Sequence, residues 1–272
     1  MGRTFFSPNT VERVTGGLAA VQARIADAAF RAGRKPDEIR LVVVTKGRRL
    51  EEIKAVLAQG VVDIGENRVL EAHAKWKALS SGVGNALSST NRYSEDASLD
   101  ENIPIFHMVG HLQRNKVSKA LEFVRYIHSL DSLALAEDIA KRTTSVQREG
   151  STFPFSVEGS SCSVGILVEV NVTGEPQKHG IAPETTRPFV EKVLELGIRP
   201  LGLMCMSKQG ATPDEHAKYF GKLARIRDDL IETVDPCISE LSMGMSDDFE
   251  VAISAGATMV RIGRAIFEPD TS

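Results

Sequence analysis

The sequence predicts an α/β chain folded as a single parallel (β/α)8 barrel with an extra N-terminal helix. Three observations lead there. Short apolar, β-branched runs alternate with helical periodicity eight times along the chain. The length, 272 residues, suits one barrel with insertions, since such barrels run from about 200 to over 400 residues. No GxGxxG follows the first strand, although a doubly wound sheet would be expected to carry one there.

Val11, Val14, Leu18, Val21 and Ile25 recur at spacings of three and four, so 10–32 reads as an amphipathic helix ended by Gly33 and Pro36. LVVVT (41–45) is the first strand, with a helix at 49–59, and VVDIG (61–65) the second, with a helix at 66–79. IFHMVG (105–110) follows, then YIHSL (126–130) before a helix at 132–142, and ILVEVNV (166–172) before one at 184–197. The last strands are LGLMCM (201–206), ISELSMG (238–244) and TMVRIG (258–263), with helices at 213–233 and 246–255 between them. Two segments break the rhythm: 80–103, rich in Ser, Asn and Gly, and 143–163, rich in Ser and Thr. Such composition marks surface insertions. Strands of the same series lie on both sides of each, so 9–267 forms one barrel domain with two insertions.

Composition narrows the function. Thirty-three Lys and Arg against 36 Asp and Glu give a net charge of −3, without the basic excess that a phosphate-backbone footprint needs, so nucleic acid is not an expected partner. No apolar run reaches the roughly 18 residues of a membrane span, and MGRTFFSPNT lacks a signal-peptide apolar region. The cysteines, Cys162, Cys205 and Cys237, form no CxxC pair, which fits a reducing, cytoplasmic compartment.

In a barrel of this kind chemistry lies at the C-terminal ends of the strands. Lys46 closes the first strand. A lysine losing hydration beside packed strands has a lowered pKa and becomes an amine able to attack carbonyl carbon; alternatively it begins the loop and points to solvent. SMGMS (242–246) and RIGRA (261–265) close strands seven and eight, where barrel enzymes often bind phosphate through backbone amides. Gly244 and Gly263 permit close backbone approach, and Ser242 offers a hydroxyl. An aldehyde-capturing amine opposite a phosphate cradle suggests pyridoxal 5′-phosphate held by a Schiff base. A Schiff-base aldolase acting on a sugar phosphate would use the same two features.

The segments VVVTKG (42–47), GENRVLEAHAKW (65–76), FHMVGHLQRNK (106–116), HSLDSLALAE (128–137), VEVNVTGEPQKHG (168–180), GLMCM (202–206) and LSMGMSDDFEVAISAGATMVRIGRAIF (241–267) closely resemble the pyridoxal phosphate homeostasis protein family. Its members are small single TIM-type barrels related to the N-terminal domain of alanine racemase. The likeness covers nearly all of 9–267 outside the insertions. It implies that Lys46 is the Schiff-base lysine, that Asn67 lies beside the cofactor, and that Ser242 and Met243 belong to the strand-seven phosphate loop. It further implies that Gly263 and Arg264 supply backbone donors after strand eight, and that Arg261 faces the pyridine nitrogen. A guanidinium can only donate, so it would leave that nitrogen unprotonated and the ring a poor electron sink. The sequence departs from the family pattern at Arg264, where Thr is common, and at Gly47, where Pro is common.

His107 and His111 are four apart, but they straddle a strand end rather than sharing a helix face, and HExxH is absent, so no metal site is expected. His128 reads as a structural group. The racemase uses a second base, a tyrosine from a separate domain, whereas Tyr93, Tyr126 and Tyr219 are not placed to oppose Lys46. The resemblance therefore implies no catalytic residues. It points to a protein that stores or delivers pyridoxal 5′-phosphate to dependent apo-enzymes and sustains amino-acid and keto-acid balance. The alternative is a fold-type III enzyme with weak racemase-like activity.

Overall fold

The structure, a computed structural model, describes residues 8–80, 104–148 and 164–269. Eight parallel strands close into a barrel in sequence order: β1 (Arg40–Val44), β2 (Asp63–Glu66), β3 (Ile105–Met108), β4 (Val124–Leu130), β5 (Gly165–Glu169), β6 (Gly202–Met204), β7 (Glu240–Ser242) and β8 (Met259–Ile262). β8 returns to β1 with Val42 opposite Arg261 and Val43 opposite Ile262. The outer layer among the described residues comprises α1 (Pro8–Arg31), α2 (Leu50–Leu57), α3 (Val69–Ser80), α4 (Val117–Leu121), α5 (Leu133–Arg148), α6 (Thr186–Glu195), α7 (Pro213–Thr233), α8 (Phe249–Ser254) and α9 (Arg264–Phe267). The barrel and its N-terminal helix are thus as the alternation predicts. None of these helices is long and apolar enough to cross a membrane.

Two expectations change. The second insertion begins later, because α5 continues through Arg148. Leu135, Ala136 and Ile139 give it an apolar stripe, and the Thr143 hydroxyl donates back to the Ile139 and Ala140 carbonyls, which lets a threonine sit inside a helix. The remaining insertion segments, 81–103 and 149–163, lie outside the described residues. The sequence reading also passes over α4 and α9, which at five and four residues are too short to display a period.

Apolar side chains divide between two compartments. The large one lies between strands and helices and includes Val43, Ile64, Phe106, Ile127, Ile166, Leu203 and Leu241. The small one, Tyr126, Leu167, Met204 and Met259, is enclosed by the strands. Side chains alternate across a strand, so the residues two positions further on, His128, Glu169 and Arg261, also face the lumen. Above its apolar floor, the barrel interior is therefore polar.

Helix α1 covers the seam where the barrel closes. Val14, Leu18, Val21 and Ile25 are buried, and the helix packs on α2, α8 and α9. Arg34, just past it, donates to the Ile253 and Ala257 carbonyls at 3.2 and 2.7 Å, satisfying groups at the C-terminal end of α8. The closest approach is at Gly17, where a Cβ would lie 2.2 Å from the Ile266 carbonyl oxygen of α9. Only glycine permits that contact.

This packing sets apart two neighbouring glycines of α1. Gly17→Ala should destabilise the protein by about 1–3 kcal/mol through overpacking. Gly16 has nothing within 4 Å of its virtual Cβ, so Gly16→Ala should stabilise by about 0.5–1 kcal/mol through helix propensity alone. Urea denaturation of both variants checks the opposite signs.

Candidate functional site

Lys46 stands two residues beyond β1, and its backbone is held on both sides. The Thr45 carbonyl accepts from the Lys75 ammonium of α3 at 2.7 Å, and the Gly47 amide donates to Glu71 Oε1 at 2.6 Å. Lys75 also donates to Glu66 Oε1 and Glu71 Oε1, both at 2.7 Å, while the Thr45 hydroxyl donates to Glu66 Oε1 at 2.5 Å. Lys75 and Glu66 are buried, so the ammonium is fully engaged in a site closed to water. Burial pushes the Glu66 carboxyl up, and its bonds to Lys75 and Thr45 offset only part of this. Burial also opposes ionisation of Glu71, but Lys75 and the Gly47 amide together hold it below the usual carboxylate range. Glu66, Glu71 and Lys75 all come from the segment GENRVLEAHAKW. Much of what that motif does is to fix the loop carrying Lys46.

Across the lumen a second set of groups forms a hydrogen-bonded chain with one direction. Arg261 Nη1 donates to Ser242 Oγ at 2.6 Å. Ser242 Oγ lies 2.8 Å from His128 Nδ1, His128 Nε2 lies 2.9 Å from His107 Nδ1, and His107 Nε2 lies 2.8 Å from Asp63 Oδ1. A carboxylate accepts only, so His107 carries its proton on Nε2, His128 carries its own on Nε2, and the serine donates to His128 Nδ1. Every donor points from Arg261 toward Asp63. Burial lowers both imidazole pKa values, His128 the further because it also faces the charges of His107 and Arg261; the neutral tautomers this chain requires are thereby favoured. At the far end Arg40 lies 3.8 Å from Asp63 and donates to the Tyr126 hydroxyl at 2.8 Å.

Arg261 is 5% exposed and also donates through Nη2 to the Cys205 carbonyl at 2.8 Å. Its plane is set by these two acceptors, and among the described residues its remaining N–H donors have no hydrogen-bond partner. Cys205 itself is buried, with its thiol pushed up to about 12 by burial; it is a packing residue. Glu169 faces Arg261 and Asp131. Burial and then the Asp131 charge raise its carboxyl to about 7, against the pull of Arg261.

The residues singled out from the sequence thus fall into different settings. Lys46 is exposed rather than desolvated, because β1 ends at Val44 and the lysine stands above the rim. Asn67, half-buried, follows β2, where its backbone is packed against Gly110: a Cβ there would lie 2.7 Å from the Asn67 carbonyl oxygen. Ser242 does not present a hydroxyl to the loop as expected, since that group is wholly buried between Arg261 and His128. Met243 is buried in the outer core, and its amide donates to the Met259 carbonyl at 3.1 Å. Gly263 abuts β1, its virtual Cβ 2.8 Å from the Val44 carbonyl oxygen. Arg264 is exposed and paired with Asp247, and the Ala265 amide donates to Ser246 Oγ at 3.2 Å. These two contacts tie together the loops after β7 and β8. His107 and His111 part company: the first lies in the lumen, the second on the exposed rim. From the sequence alone Asp63, Glu66, Lys75 and Glu169 carry no assigned function and His107 and His128 no role beyond structure; Glu66 and Glu169, charged residues that close β2 and β5, are the hint the sequence offers.

Removing the ammonium from the clamp leaves Glu66 without its counter-charge. Lys75→Met should cost about 3–5 kcal/mol, and adding Glu66→Gln should recover a substantial part in urea denaturation. An equal loss in the double variant would contradict the pairing. Glu169 supplies a pH dependence. Its folded pKa lies above its unfolded value, so the group favours folding while neutral and loses that stability as pH rises from about 4.5 through about 7. The rise from 4.5 to about 7 corresponds to on the order of 3 kcal/mol. Melting temperatures should therefore fall more between pH 5 and pH 8 in the native protein than in Glu169→Gln.

No family model matches the chain. The pyridoxal phosphate homeostasis protein of Aquifex aeolicus (strain VF5) is 36% identical over 251 residues, 92% of this chain and 95% of that protein. The crystal structure of an unknown protein from Bifidobacterium adolescentis aligns with a TM-score of 0.80 at 33% identity, covering 97% of this chain and 98% of that one. PipY of Synechococcus elongatus PCC7942, in the structure with PLP bound, aligns with a TM-score of 0.67 at 28% identity, covering 89% of this chain and 99% of that one. At 36% identity over 92% of its length, the chain belongs to the pyridoxal phosphate homeostasis protein family.

Proposed function

We propose that the protein binds pyridoxal 5′-phosphate at the C-terminal mouth of the barrel and stores or delivers it within the cytoplasm. The observation that carries this reading is the buried Arg261, whose plane is set by Ser242 and the Cys205 carbonyl while its other donors take no partner among the described residues. The site fits the group. A guanidinium can donate to an unprotonated pyridine nitrogen, Lys46 provides an exposed amine on a fixed loop, and Gly263, whose missing Cβ lets it pack on the Val44 carbonyl, holds the turn that opens α9 close against β1. When bound, the cofactor supplies an aldehyde that a lysine amine can hold covalently.

The chain's residues divide the work. The Glu66–Lys75–Glu71 cluster fixes the height and direction of Lys46 through Thr45 and Gly47. Asn67, at the end of the neighbouring strand, borders the cofactor ring. Gly263 and Arg264 offer backbone donors to the phosphate from the turn opening α9, and the loop through Ser242 and Met243 walls its other side. In this reading Ser242 acts through Arg261 rather than through the phosphate. Exposure of Lys46 suits a carrier, because a competing amine of a dependent apo-enzyme can reach the same carbon. A second reading, a weak racemase-like enzyme, is favoured by Glu169, a lumen carboxyl near neutrality and so able to exchange protons.

Purified protein mixed with pyridoxal 5′-phosphate should acquire a visible absorption band, and borohydride followed by peptide mapping should place the label on Lys46. Lys46→Ala should lack the band yet retain the ligand through its phosphate. Loaded protein should restore an apo-aminotransferase even when a trap removes free cofactor. Label on another lysine would overturn the site, restoration only without the trap would overturn direct delivery, and Glu169-dependent deuterium entry into alanine would favour the enzyme.

A further inference from the structure

His111, Asp131 and His179 come from three successive loops at the barrel mouth, after β3, β4 and β5. Their ligand atoms lie within 4.8 Å of one another. Nδ1 of His111 is 3.0 Å from Asp131 Oδ2, and Nδ1 of His179 is 3.6 Å from the same oxygen. The two imidazoles stack, with centroids 4.1 Å apart and planes 13° from parallel, so their lone pairs run side by side and one of these exposed rings turns out of the stack when both nitrogens engage one ion. Two ligand atoms bound at about 2.0 Å to a tetrahedral ion are about 3.3 Å apart, and the two observed nitrogen-to-oxygen distances bracket that edge.

Each ligand is placed by contacts outside the group. His111 follows Gly110, which packs on Asn67 and whose carbonyl accepts from the Ser129 hydroxyl at 2.7 Å. Asp131 immediately follows β4, and its side chain is only 10% exposed. His179 sits in a loop closed by the Val170–Ile181 bridge, with Ile181 donating to the Glu169 carbonyl at 2.8 Å and Asn171 to the Ile181 carbonyl at 2.9 Å. Lys178 further ties the loop to the Ser207 carbonyl at 3.0 Å.

We infer that His111, Asp131 and His179 form a binding site for a zinc-class divalent cation on the rim of the barrel, with a fourth position open to water or an anionic group. Two imidazoles and one carboxylate suit Zn(II) and Co(II) better than Ca(II) or Mg(II), which take oxygen ligands. The assignment is independent of the cofactor reading. It differs from the rejected His107–His111 pair because His111 takes its partner from the loop after β5, sixty-eight positions along the chain.

The full-length protein, without a histidine tag and stripped with a chelator, is titrated with Zn(II) by calorimetry and with Co(II) by visible spectroscopy. One ion per chain should bind, and Co(II) should give the intense bands of a tetrahedral site. His111→Ala and His179→Ala should each weaken binding by at least about tenfold, the lower end of what even outer-sphere partners contribute, and Asp131→Asn should weaken it too. Both histidines are solvent-exposed, with side chains 40% and 56% accessible, so circular dichroism and the metal-free melting temperature should match the native protein. Cys237→Ser, which removes an exposed thiol, should bind as the native chain does. Unchanged affinity and stoichiometry in His111→Ala/His179→Ala, or no Zn(II) uptake by the native protein, would overturn the assignment.

Discussion

The ammonium of Lys75 is the fixed point from which the mouth of this barrel is built. It sits where β1, β2 and α3 meet, and its three acceptors lie at Thr45 just past β1, at Glu66 in β2 and at Glu71 in α3. A charge so placed is stable only while every bond is kept. The requirement runs both ways: α3 cannot slide along the strands without stranding a charge, and the end of β1 cannot drift from β2. The loop bearing Lys46 inherits that rigidity although the lysine itself is exposed. An exposed amine on an inflexible base suits reversible covalent capture, where the attacking atom must reach and withdraw while the pocket keeps its shape.

The lumen solves a different problem. Filling it with aliphatic side chains would give a barrel with nothing to offer a polar ligand, whereas leaving polar groups there unpaired would cost several kcal/mol. The chain from Arg261 to Asp63 satisfies each member with its neighbour and terminates on a carboxylate balanced by Arg40. Because its polarity is set at the carboxylate end, the orientation of Arg261 near the mouth depends on residues close to the opposite face. Neutral histidines in the middle are part of this device, as a protonated ring would put two donors face to face.

Much of the fold was legible in the sequence because it rests on periodicity. The alternation of strands and helices, the covering helix and the strand-end positions of Lys46, Asn67, Arg261 and Gly263 all follow from local pattern or family likeness. What escaped it depends on contacts between elements. Lys75 looks like a solvated lysine on an amphipathic helix, since its acceptors lie in strands and in the turn below. Ser242 resembles a loop hydroxyl until the barrel closes and brings His128 against it. The Thr and Ser composition of 143–148 suggests a loop, but a hydroxyl can be satisfied by its own helix. The sequence already separates His107 from His111 across a strand end, and the fold gives one to the lumen and the other to the rim.

The contact between Gly17 and Ile266 has a consequence for how the chain reaches this state. The first helix has its tightest partner in the last one, and β1 finds one of its two neighbours in β8. Neither can complete its packing during synthesis until the chain as far as Ile266 has left the ribosome. High separation between partners slows folding and exposes apolar surface meanwhile. The amphipathic first helix, with its buried stripe of Val14, Leu18, Val21 and Ile25, is therefore the part of the described chain that waits longest for its place.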